Sequence, residues 1–233
     1  MGRSRGRGLV LFTMLIALAS ILGACGGGDG DSAAHVNEDS GSTNGLPLDE
    51  REGTPPPPVK TADLDAIAEE AECLLFRKLP NEGDEEVPPD SPTPRYRSAV
   101  PTSGTHVEQP YQQADGAYLL TPDPIDSLAS LDHGRVAIQY APDLSEETQL
   151  ELKGVYDTMY GGTLFYPNDV MNYAVAATAW RSMIGCTTWQ EEETLDAIRA
   201  FAKEAWGKSG SEPVDAFPTS GPTPRDPAEP DAS

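Results

Sequence analysis

Positive charge is scarce in this chain. Sixteen lysines and arginines stand against 38 aspartates and glutamates, a formal net charge of −22. Binding a nucleic-acid backbone needs a basic face, so nucleic acid is excluded as a partner. An anionic lipid surface would also repel the chain unless something else held it there. Histidine and cysteine are equally sparse, at three each, and motifs that announce a chemistry are missing. The sequence contains no Walker loop, no dinucleotide fingerprint, no H-E-x-x-H helix, no EF-hand loop and no G-x-S-x-G elbow. Long apolar runs are absent too, with one exception at the N-terminus.

That exception sets the expected address. Arg3, Arg5 and Arg7 form a positive segment, residues 9–22 are apolar, and Leu22-Gly23-Ala24-Cys25 follows at once. The pattern reads as a lipoprotein signal, with residues 1–24 removed and Cys25 carrying acyl chains. The apolar run is shorter than the roughly 20 residues of a spanning helix, which disfavours the alternative of a plain membrane anchor. A lipid-anchored protein on the extracytoplasmic face of a membrane is expected, with the membrane as its partner through Cys25. Removing residues 1–24 takes away three arginines and no acids, so the remainder carries −25. Cys73 and Cys186 are then left as a single possible pair in a compartment where disulfides persist. Bonded, they would close a long loop worth about 4–5 kcal/mol in chain entropy. The alternative is two buried thiols.

Composition divides the rest. Residues 25–60 hold almost no large apolar side chains and end in E-G-T-P-P-P-P, the signature of a disordered tether stiffened by proline. Residues 61–207 have the size and patterning of one folded domain. Residues 208–233 form an acidic, proline-rich tail expected to be disordered. His35 falls in the tether. The tetrapeptide P-T-S-G occurs at 101–104 and again in the tail, and only the first copy leads to a histidine, in V-P-T-S-G-T-H.

Within the domain, Thr61 can cap a helix carrying Leu64, Ile67, Ala68, Ala71 and Leu75 at helical spacing, with Cys73 near its end. A long Pro- and Gly-rich stretch follows, with short strands possible near 95–98 and 117–120. Asp123 before Pro124 marks a helix start, and Ile125, Leu128 and Leu131 share one face. Residues 135–141 alternate as a half-buried strand should. Ser145 opens a helix with Leu152, Val155, Tyr156 and Met159 on its stripe, stopped by Gly161-Gly162. A strand is expected at 163–166. The run Y-A-V-A-A-T-A-W at 173–180 is apolar on both faces, as a central strand would be. Thr188 and Glu191 suggest a capping box for a last helix with Leu195, Ile198, Phe201, Ala202 and Ala205 inward. The order is β-α-β-β-α after an N-terminal helix. It predicts an α+β fold with a small mixed or antiparallel sheet and helices packed on it.

Each histidine of the domain has two explanations. His133 precedes Gly134 at a helix end, where an imidazolium would meet the helix dipole, or a neutral ring would help hold a cation. His106 follows turn chemistry supplied by Pro101, Ser103 and Gly104, and a ring there can simply satisfy the loop. A hydrolase using His133 with Ser103 or Ser130 and Asp132 lacks the expected nucleophile context. Met171 and Met183 are better explained by packing than by a soft metal.

The phrases V-P-T-S-G-T-H, S-L-A-S-L-D-H-G-R-V-A-I-Q-Y and Y-A-V-A-A-T-A-W-R-S-M-I-G-C, flanked by Cys73 and Cys186, resemble the bacterial domain of unknown function 3105 family over residues 70–206. The resemblance implies a secreted or membrane-tethered domain with no established activity. Relative to the family's phrases, this chain has Val100 and Thr105 in the first, Ala129 where a histidine precedes His133 by four residues, and Glu86 where another histidine stands. His-x-x-x-His puts two imidazoles on one helical face. A metal site of the family would therefore be either lost here or rebuilt on His106, His133, Glu86 and Asp132. The sequence thus points to a lipid-anchored binding module rather than an enzyme, with a divalent metal ion as candidate cofactor. A hydrolase and a cell-envelope scaffold are the alternatives.

Overall fold

A computed structural model describes residues 41–159 and 162–210. The expected signal segment, Cys25, His35 and the second P-T-S-G lie outside the described residues. The elements in chain order are α1 (Leu64–Glu70), β1 (Cys73–Phe76), β2 (Glu86–Val87), β3 (His106–Val107), β4 (Gly116–Ala117) and α2 (Pro124–Asp132). They continue with β5 (Val136–Tyr140), α3 (Glu146–Met159), β6 (Thr163–Pro167), β7 (Val175–Ala179), β8 (Ser182–Cys186) and α4 (Glu191–Ala205).

The fold is α+β, with a six-stranded mixed sheet in the order β1-β8-β7-β5-β6-β4 and a separate parallel pair, β2 with β3. β6 runs parallel to both β4 and β5, while β5, β7, β8 and β1 pair antiparallel in succession. Parallel neighbours need crossovers, and α2 and α3 supply them. Among the described residues no helix is long and apolar enough to cross a membrane.

β7 is a central strand, as its composition predicts, and all five of its residues are buried. β5 departs from the half-buried expectation, because all five of its residues are buried too. The alternation V-A-I-Q-Y separates Val136, Ile138 and Tyr140 on one covered face from Ala137 and the hydrogen-bonded Gln139 on the other. Val136, Ile138 and Tyr140 enter the main core with the inward stripes of α1, α3 and α4. Ala137 lies on the opposite face with Leu128 and Leu131 of α2, Leu164, Tyr166 and Trp180. The α4 stripe of Leu195, Ile198 and Phe201 is almost wholly buried. Each such side chain contributes about 1.5–3 kcal/mol of burial.

Helix starts were partly legible. Asp123 caps α2 through the Ile125 N–H, with Pro124 in the first turn, and Ser145 Oγ accepts the Thr148 N–H at the start of α3. Thr61 does not cap α1. Asp63 does, accepting from the Asp65 and Ala66 N–H groups. The helix stops at Glu70, so Cys73 and Leu75 belong to β1 instead. Glu72 turns the chain there with a φ of 52° that no glycine or proline advertises. The Thr188–Glu191 capping box does not form either. α4 begins at Glu191 after Gln190, whose N–H is taken by the Thr194 hydroxyl. β8 was not foreseen, and residues 95–98 form no strand.

Cys73 and Cys186 are bonded, with Cα atoms 4.2 Å apart. They are register partners of β1 and β8, not a helix end joined to a turn.

Residues 41–60 depart from the free tether expected of them. Ser42 bridges to Gln113 and Leu48 to Tyr118. The Asp49 N–H donates to Ala117 O and the Leu119 N–H to Pro47 O, so this strap extends the sheet beyond β4. Further along, the Gly53 N–H donates to Asp157, Arg199 donates to Pro57 O, and Asp196 accepts the Lys60 N–H. Backbone and charged groups hold the strap, and these leave no hydrophobic periodicity for sequence reading to find.

Candidate functional site

The V-P-T-S-G-T-H phrase is a largely buried loop tied to its surroundings by several hydrogen bonds. Thr102 O accepts the Arg181 N–H from the β7–β8 turn. Ser103 Oγ accepts the Glu82 N–H and donates to Pro80 O. Gly104 has φ 139°, and a Cβ there would stand 2.8 Å from the Tyr96 ring, so both its conformation and its space require glycine. The Tyr96 hydroxyl donates to Thr105 O at 2.6 Å. Burial, then the charges of Asp123 and Asp126, push the Tyr96 pKa up and keep the hydroxyl a donor.

His106 opens β3, with Glu86 as its register partner on β2. Its Nδ1 is 2.8 Å from Gly104 O. A carbonyl only accepts, so Nδ1 carries the proton, and a neutral ring presents a lone pair at Nε2. Nε2 has no hydrogen-bond partner among the described residues and stands 3.7 Å from Asp132 Oδ2. Both side chains are buried, at 1% and 2% exposure. The Trp180 ring meets the imidazole edge-on at 5.5 Å between centroids. A lone pair facing a carboxylate is an electrostatic conflict that a cation bound between them would relieve.

α2 brings Asp132 here, and Asp132 is its last residue. His133 is the C-cap, its N–H reaching Ala129 O, and Gly134 follows at φ 79°. Its ring lies against the Gln109 side-chain amide, which is 2.9 Å from Nε2. Its carbonyl accepts from Arg135, whose guanidinium also pairs with buried Asp115 at 3.2 Å. Asp115 accepts the Gly162 N–H as well. Burial raises the Asp115 carboxyl pKa despite the opposing pull of Arg135.

Of the four residues singled out for a metal, His106 and Asp132 come together. His133 adjoins Asp132 along the chain, and Glu86 is exposed. Among the described residues no group of three or more His, Cys, Asp or Glu side chains is placed to hold a metal ion. The hydrolase constellation finds its serines committed elsewhere. Ser130 donates to Gln113 O at 2.6 Å, Ser103 to Pro80 O, and both are buried. Trp180, Gln109 and Tyr96 were missed, since nothing in their own sequence context links them to the histidines.

Fold and site together define an extended α+β domain whose most distinctive sequence phrase is an internal loop locked beneath α2. Residues 90–216, more than half of the chain, match the family described as "Protein of unknown function (DUF3105)", and the chain belongs to that family. No curated protein and no solved structure matches it.

Proposed function

We propose that this is a lipid-anchored extracytoplasmic domain that works by binding rather than catalysis. The observation supporting binding is the burial of the groups that chemistry would need. Ser103, His106, Ser130, Asp132 and His133 are each at most 2% exposed, so no substrate reaches them in this conformation. The address rests on Arg3, Arg5 and Arg7, the apolar run and Cys25. In cells given a labelled fatty acid, the wild type is expected in the membrane fraction and labelled. Cys25→Ser is expected to be unlabelled and released. Unlabelled membrane retention of the wild type would overturn the anchor.

A second reading, a bound cation, is favoured by one observation: the unpartnered Nε2 of His106 facing Asp132. Two protein donors fall short of a resident tetrahedral site, so the ion would be weakly held. Titration of the whole chain with Zn²⁺ in a calorimeter is expected to give one site, weakened at least about tenfold by His106→Ala. Binding unchanged in that variant, or no binding, would remove this reading.

A further inference from the structure

The sequence holds a single Asn-Gly pair, Asn44-Gly45, and it falls near the start of the strap. Asparagine before glycine is chemically labile, because the next backbone nitrogen can reach the side-chain amide carbon with no Cβ to obstruct it. The Leu46 N–H donates to Thr43 O, closing a turn with Asn44 at φ 51° and Gly45 at φ 76°. This is the primed turn that Asn-Gly favours. Both residues are exposed, and no atom lies within 4 Å of where a Gly45 Cβ would be. The Gly45 N–H has no hydrogen-bond partner among the described residues. Its nitrogen is open to water and uncommitted.

The Asn44 side chain, by contrast, is held. Its Nδ2 donates to Asp126 Oδ2 at 2.8 Å and to Gln113 Oε1 at 3.2 Å. Asp126 therefore stands at the atom that would leave. An amide nitrogen departs poorly until it takes up a proton, and once the carbon beside it is tetrahedral its lone pair can accept one from a positioned acid. Burial and the charge of Asp123 push the Asp126 pKa up to about 6, so a fraction of this carboxyl carries a proton near neutral pH. Asn81, Asn168 and Asn172 precede Glu82, Asp169 and Tyr173, whose side chains crowd the same attack.

The product does not fit where the amide does. A carboxylate only accepts, whereas Gln113 Oε1 and Asp126 Oδ2 both need a donor, and Asp126 meets the new group as a like charge. Gln113 Nε2 is tied to Thr43 O and cannot turn to donate without giving up that bond. The bonds that fasten the strap here are close by in the chain: the Ser42 N–H donates to Gln112 O and the Ala114 N–H to Ser42 O.

We propose that Asn44 is a self-modification site whose reaction releases the start of the strap. The Gly45 nitrogen attacks Asn44 Cγ and gives its proton to solvent. The Cγ–Nδ2 bond breaks as Asp126 protonates the departing nitrogen, and ammonia leaves behind a cyclic imide. Water then opens the imide at either carbonyl to give aspartate or isoaspartate, while Asp126 recovers its proton from solvent. The net change is amide plus water to carboxylate plus ammonium. Neither the anchor nor a bound cation takes part.

The test holds freshly purified full chain at pH 7.5 and follows it by peptide mapping for several weeks. Aspartate and isoaspartate are expected at position 44, with ammonia released in equal amount, while Asn81, Asn168 and Asn172 stay intact. Asp126→Asn still offers the Asn44 amide an acceptor but has no proton to give, and is expected to slow the reaction about tenfold. Added imidazole buffer at constant pH supplies an outside acid and is expected to restore the rate in this variant, which a merely structural role of Asp126 would not allow. Release is read by hydrogen exchange. The Ser42 and Ala114 N–H groups are expected to exchange about tenfold faster in Asn44→Asp than in fresh wild type. An Asn44 that stays intact, a rate unaltered by Asp126→Asn, or one slowed there without rescue would overturn the self-modification, and unchanged exchange in Asn44→Asp would overturn the release.

Discussion

Asp126 occupies the first turn of α2, where a negative charge is normally welcome. Burial and the neighbouring charge of Asp123 nevertheless push its pKa up to about 6, against the pull of the Asn44 amide. A carboxyl whose folded pKa lies above its unfolded value favours folding at pH below about 4. That contribution is lost as pH rises through 6, because the folded protein must then hold a charge it resists. Asp126→Asn is therefore expected to raise the melting temperature at pH 7.5, with the advantage shrinking steadily toward pH 4. A thermal-denaturation series across that range checks it, and an advantage independent of pH would contradict this origin. The sequence revealed the Asp123-Pro124 cap because a cap is local. It revealed Gly104 as a turn for the same reason. The pairing of His106 with Asp132 was less accessible, since 26 positions separate them and Tyr96, Thr105 and Trp180 all help to fix the ring.

The strap shows how an element can be invisible to composition. It buries few apolar side chains, yet Gly53 and Gly154 let its backbone lie directly on α3. A Cβ on Gly154 would stand 1.7 Å from Thr54 O. In an otherwise free helix, replacing an interior glycine by alanine stabilises by about 0.5–1 kcal/mol. Here the sign should reverse. Gly154→Ala is expected to lower stability to chemical denaturation by more than about 1 kcal/mol and to open residues 41–60 to limited proteolysis. A stabilised variant with a protected strap would show that α3 does not carry the strap. A glycine in the middle of α3 was the one available sequence signal. β8 offered even less, because its hairpin turns at Trp180-Arg181 with φ 58° at Arg181, without the Asn-Gly or Gly-Gly pair that usually marks such a turn.

At the scale of the molecule, α+β character was readable because helical and strand periods alternate cleanly from residue 123 onward. The architecture was less so, since β5, β7 and β8 are covered on both faces and their burial no longer follows the two-residue period. The disulfide was predictable from cysteine number and the compartment expected from the N-terminal residues, while its place between paired strands depended on β8. That place governs how the chain would respond to tension. Pulled between residues 41 and 210, the load would run along the strap and α1, cross from Cys73 to Cys186, and leave through α4. Residues 74–185 would hang outside the loaded path. A pull could strip away the strap and unseat α1 and α4, but it would then meet a covalent stop with β2 through β7 still unstressed, making the bridge a mechanical clamp set at the border of the sheet.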